Sequence, residues 1–232
     1  MSKKSSTGTT LSSQETISGI IWLAFQLVAL PDILKWCNLQ FGFSLNAAEL
    51  NFAYYLINFI AMLLIFHDYL SSSLRQVTQH PLDFLEAVVL GFVAYYALNW
   101  LTTKGIRLLV PSFSNYNDSS IAAMSRGNYF LMFIGTVILV PPVEECLFRG
   151  LIFRNIYRSN HLAAYLISIL AFAAIHILGY IGKYSPVELA MACLQYLPAG
   201  LCLAWSCIRG GTVFSPIVIH AAINFLTIRH MR

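Results

Sequence analysis

The sequence predicts an all-α fold: a multi-pass transmembrane helical bundle of about seven spans, or about eight if a kinked helix at Pro141 is counted separately. Three observations carry that expectation. Of 232 residues, 58% are hydrophobic and 10% charged, where a soluble domain carries about 25% charge. The apolar residues gather into runs near the roughly 20 residues that a bilayer requires. The fourteen Lys and Arg are spread over the breaks between runs and the chain ends, with no block of like charge that would address nucleic acid.

Residues 1–16 read as a Ser/Thr-rich polar tail with Lys3 and Lys4. A long polar stretch separates these lysines from the first apolar run and no A-x-A site follows, so the tail does not read as a signal peptide. Residues 17–36 form a first membrane segment that Pro31-Asp32 kinks or ends. A second covers 50–70 and a third 82–101. Residues 102–127 turn polar around NYNDSS, which predicts the longest loop and a boundary between N-terminal segments (17–127) and a second module (128–232).

The apolar run 128–140 has thirteen residues, about 20 Å of helix, against a hydrocarbon core of about 30 Å. A second helix must complete that crossing. Pro142 suits a first helical position, where its missing N–H costs nothing, so a helix starting at Pro141 extends the run into one kinked span over 128–152. Arg154 and Arg158 mark its emergence. Further segments follow at 162–178, 187–207 and 213–228. Orientation stays undecided: Lys3, Lys4, Arg75, Arg154, Arg158 and Arg209 fall on one side and Lys104, Arg107, Arg126, Lys183, Arg229 and Arg232 on the other.

Within PPVEECLFRG, from Pro141 to Gly150, two adjacent carboxylates enter the membrane region, where ionised acids are expensive unless paired or used. Glu145 and Arg149 are i, i+4 neighbours with the acid N-terminal, the better orientation for an ion pair, and read as scaffold. Glu144 lies about 100° further round the helix and is free for chemistry. The same spacing sets Phe172 on the face of His176, and Asn224 on the face of His220. Counted from the Arg158 end, Glu144 and His220 lie about 15 Å deep, and His176 and Asn224 about 21 Å deep. Four polar side chains could thus meet in one layer. Asp32, His67, Asp68, Asp83 and Glu86 lie near segment ends, where snorkelling explains them; Asn58, Asn99 and Gln195 read as packing contacts. The five cysteines, odd in number and without a C-x-x-C pair, read as reduced and structural. Cys146 has no His at i±3 or i±4 to activate it.

A Glu and two His in a cavity that water can reach support two chemistries. Glu144 can act as general base on water, with His176 sharing the proton and with His220 and Asn224 donating to a developing oxyanion. Alternatively, Glu144, His176 and His220 could hold Zn²⁺ with one open position. The three motifs, Glu144-Glu145-x-x-x-Arg149, Phe172-x-x-x-His176 and His220-x-x-x-Asn224, resemble those of the CAAX prenyl endopeptidase and bacteriocin-processing (CPBP or Abi) family of intramembrane proteases. The resemblance implies that residues 128–232 are a catalytic core in which Glu144, His176, His220 and Asn224 form the site, with Glu145, Arg149 and Phe172 in support. It also implies a peptide or lipid-anchored protein substrate in the bilayer. The short loops look more like prokaryotic members, whose cell membrane and bacteriocin-related peptides would be the setting, an expectation that disfavours a prenylated CAAX substrate. A non-catalytic immunity or scaffold protein is the alternative. A transporter is disfavoured, because the chain shows no two-half symmetry.

Overall fold

A computed structural model describes residues 9–231. Lys3, Lys4 and Arg232, part of the charge balance above, lie outside them. Ten helices make up the described chain, numbered here α1 Ser13–Val28, α2 Leu30–Gln40, α3 Ala47–Ile65, α4 His67–Gln79 and α5 Pro81–Leu109. After them come α6 Tyr116–Gly127, α7 Tyr129–Tyr157, α8 His161–Ile177, α9 Pro186–Arg209 and α10 Phe214–Arg229. A short 3₁₀ turn, Leu178–Tyr180, extends α8.

Five helices are long and apolar enough to cross a membrane: α3, α5, α7, α8 with its 3₁₀ turn, and α9. The pair α1 and α2, bent by 52° at Ala29, makes a sixth if it is one broken span. Pro31 sits in the first turn of α2, so the kink expected from Pro31-Asp32 falls just before it. The expected count of seven or eight is not reached. The last expected segment forms α10, whose 16 residues give about 24 Å of helix, short of a core of about 30 Å.

Two stretches read as tail or loop are partly helical. The end of the expected polar tail is helical: Ser12 and Glu15 form a capping box that starts α1 at Ser13. The second Glu15 oxygen accepts from the Tyr69 amide at 2.8 Å, capping α4, which lacks a side-chain cap of its own. The expected long loop shrinks to residues 110–115, because α5 runs on to Leu109 and Asn115 caps α6 by accepting from the Asn117 and Asp118 amides.

Half of the most apolar window of α7 is buried, against 11% for α5. α7 is therefore the inner helix, and α3, α8 and α10 pack around it. α9 lies against α5 and α8, antiparallel to α5: Arg209 at its end pairs with Asp83 at 2.9 Å and with Glu86, both at the start of α5. The bundle thus has two ends, one carrying Arg158, Arg209 and α4, the other carrying α6, Lys183 and Arg229.

Candidate active site

The site is built on an irregularity in α7. Two π-helical stretches, Ile134–Leu139 and Cys146–Phe153, flank the turn Val140–Glu145. The helix does not start at Pro142 as the proline rule predicts; it runs through both prolines with right-handed helical dihedrals. The Val140 amide donates to the Gly135 carbonyl, an i→i+5 bond. In that register the Thr136 carbonyl would await the amide of residue 141, a proline without an N–H. Asn224 supplies the donor from α10, its Nδ2 lying 2.8 Å from the Thr136 carbonyl oxygen. One of the four motif residues is therefore a strap between α10 and the proline break.

Beyond the prolines, Glu145 and Arg149 are both fully buried and paired at 3.1 Å. The guanidinium lies 4.3 Å over the Phe172 ring, a cation–π contact. Glu145 has a second partner that helix spacing could not reveal: its Oε1 accepts from His220 Nδ1 at 2.8 Å. Glu145 therefore both balances Arg149 and orients an imidazole. Phe172 packs edge-on to His220 and tilted against His176, with centroids 5.7 and 4.8 Å away.

His176 donates from Nδ1 to the Phe172 carbonyl at 2.8 Å and stacks on Tyr196 with centroids 4.2 Å apart. A carbonyl and a carboxylate can only accept, so Nδ1 carries the proton in both histidines and each neutral ring offers Nε2 as an acceptor. His176 Nε2 faces Glu144 Oε2 across 4.0 Å. That Glu144 oxygen is buried and has no hydrogen-bond partner among the described residues.

Glu144, Phe172, His176, His220 and Asn224 all line one cavity of about 390 Å³. Its other walls come from the N-terminal half: Asn51, Tyr54 and Tyr55 of α3, Tyr95 and Asn99 of α5, the capping residue Asn115, and Asn117 and Asp118 of α6. Gln195 and Asn99, read from sequence as packing contacts, face this cavity; Asn58 does pack, bonding Trp22 Nε1 and the Tyr54 carbonyl. Burial pushes the Asp118 carboxyl up to about 6. Asn117, Asp118, Thr227 and Met231 place the cavity toward the Lys183 end. Depth counting from the other interface predicts a rim at Arg154, Arg158 and Arg209. Arg154 is instead buried, donating to the carbonyls of Thr9 and Cys207 at 2.8 and 2.9 Å, and Arg209 is held by α5.

Glu144, His176 and His220, the alternative Zn²⁺ set, share one cavity wall. Among the described residues no group of three or more His, Cys, Asp or Glu is arranged to hold a metal ion; the Nδ1 bond to Glu145 leaves Nε2 as the nitrogen of His220 that a metal would take. Cys146 is fully buried and does not line the cavity.

Fold and site together define an integral membrane protein with a buried acid–imidazole centre. Residues 126–226 match the family model described as type II CAAX prenyl endopeptidase, Rce1-like. That stretch contains every residue of the three motifs and supports the resemblance they carry, and the family indicates a protease. No curated protein and no solved structure matches the chain.

Proposed function

We propose that the chain is an intramembrane endopeptidase whose catalytic core, residues 128–232, hydrolyses a peptide bond of a membrane-associated peptide or prenylated protein. The observation that carries this reading is the facing pair of acceptors, Glu144 Oε2 and His176 Nε2, 4.0 Å apart on the wall of a cavity. A water donating to both along legs of about 2.8 Å subtends roughly 90°, near its own bond angle, and turns its lone pairs outward. Glu144 removes one proton as the water oxygen bonds to the scissile carbonyl carbon, whose π pair moves onto oxygen. Asn224 keeps one amide N–H beyond the one given to Thr136 and donates it to that oxyanion. His220, held by Glu145, adds a donor when protonated. Collapse breaks the C–N bond, and the leaving nitrogen takes the proton held between Glu144 and His176. This route passes through no metal.

A non-catalytic scaffold would have no use for a cavity ending on an unpaired acid. The test is cleavage by the purified protein of quenched peptides, with and without a farnesylated C-terminal CAAX sequence, in the presence and absence of a chelator. Glu144→Gln should lose activity by at least about 100-fold, the lower range for removing a general base, at unchanged abundance. Full activity in that variant sinks the assignment; loss of wild-type activity on chelation sinks the metal-free route.

A further inference from the structure

The proposed site is rich in acceptors and short of donors. Glu144 accepts, and so do Nε2 of His176 and Nε2 of His220 in their neutral forms, while Asn224 gives one of its two N–H groups to Thr136. A tetrahedral oxyanion needs donors aimed at it. Building on the proteolytic reading above, we infer that Tyr55, on α3 and outside the family-matched stretch, is a further catalytic residue whose phenolic O–H donates to the oxyanion.

Tyr55 is built into place. Its hydroxyl oxygen accepts from Asn51 Nδ2 at 3.1 Å, and its own proton has no acceptor among the described residues. The neighbouring Tyr54 differs: its proton goes to the Gln26 carbonyl at 3.3 Å, which the bend between α1 and α2 leaves without its helical partner. The Tyr55 ring lies on Gly135, where an added Cβ would meet ring carbon Cδ2 at 2.6 Å, so only glycine admits it. Gly135 is also the residue whose carbonyl takes the i→i+5 bond at the proline break. Tyr55 and Glu144 both line the main cavity and also the small apolar pocket beside it. In the reaction, the O–H bond stays intact while its hydrogen bond shortens as the carbonyl π pair moves onto oxygen; no proton need transfer.

The test compares Tyr55→Phe, Tyr165→Phe and Gly135→Ala in the full-length purified protein, on whichever quenched peptides the wild type cleaves. Tyr55→Phe should lower kcat about 100-fold, the loss typical of one oxyanion donor, with KM within about 3-fold and thermal stability unchanged. Tyr165→Phe, on α8 and off both cavities, should keep kcat within about 3-fold. Gly135→Ala should displace the ring and lower kcat, and adding Tyr55→Phe should then cost little more, because both changes act on one hydroxyl. As a second readout, a peptide aldehyde, which presents a tetrahedral hydrate, should bind Tyr55→Phe at least about 10-fold more weakly than wild type, a factor equal to 1.4 kcal/mol, while the parent peptide binds equally. Wild-type kcat in Tyr55→Phe, or a loss that tracks KM or melting temperature, overturns this role. Activity in Glu144→Gln, or a wild type inert toward every peptide, overturns the proteolytic reading itself.

Discussion

Replacing Glu145 with Gln strands a fully buried guanidinium. Arg149 has the carboxylate at 3.1 Å, the Phe172 face at 4.3 Å and the Gly200 carbonyl at a marginal 3.5 Å, and its Nη1 has no partner among the described residues. Among the described residues, the other carboxylate acting on it is Glu144, which faces His176. Breaking a buried pair by removing one partner costs about 3–5 kcal/mol. At about 2–4 °C per kcal/mol for a chain of this size, Glu145→Gln should lower the melting temperature by roughly 6–20 °C. The double variant Glu145→Gln/Arg149→Met removes the stranded charge and should recover most of that loss. Activity should not recover with it, because His220 still lacks the carboxylate that accepts from Nδ1 at 2.8 Å. Unfolding in detergent can be followed with a thiol-reactive fluorophore, since Cys146, Cys202 and Cys207 are buried until the bundle opens. A Glu145→Gln protein as stable as wild type, or a double variant recovering stability and activity together, would refute the dual role of Glu145.

Two further outcomes follow from the geometry. Cys146→Ser should leave turnover within about 3-fold, since the thiol is fully buried and off the cavity wall; complete loss in a folded protein would revive a thiol mechanism. Asp118 is raised from an ordinary 3.8 to about 6 by burial, so its stabilising contribution is full below the lower value and is lost as pH rises through the higher one. That amounts to on the order of 3 kcal/mol in all, roughly 1.4 kcal/mol of it between pH 5 and pH 8, and Asp118→Asn should flatten the difference in melting temperature between those two pH values. Equal pH slopes in the two proteins would remove Asp118 as its source.

The spans α3, α5, α8 and α9 were legible because each is a run of apolar residues long enough to be unambiguous. α4 and α6 were not, since His67–Gln79 and Tyr116–Gly127 are too polar for a hydropathy reading and bury only a narrow face, Tyr69 with Ser73 in one and Ser125 in the other. The capping pattern of Ser12 and Glu15 was readable and would have placed the start of α1 inside the supposed tail. At the site, i, i+4 spacing paired Glu145 with Arg149 but could not reveal His220, 75 residues away. Depth counting put the motif residues at matching levels and said nothing of which end was open. The wall supplied by Tyr54, Tyr55, Tyr95, Asn51 and Asn99 carries no motif, because Tyr and Asn within apolar helices look the same whether they pack or face a cavity.

The prolines explain why the two halves of the chain meet where they do. A regular α-helix satisfies its backbone internally and offers a neighbour only side chains. Pro141 and Pro142 remove two amides from the middle of α7, and the wider register before them leaves the Thr136 carbonyl open to a donor from another helix. Asn224 fills that position, which fixes the rotation of α10 and so turns His220, one turn earlier, toward Glu145. One residue before Thr136, Gly135 gives α3 room to approach closely enough for Tyr55 to reach the cavity. The local rule that fails, proline at the start of a helix, therefore fails at the point where α3, α7 and α10 are brought into register. Such violations are expected at functional sites, where tertiary partners satisfy groups that a regular helix would satisfy itself.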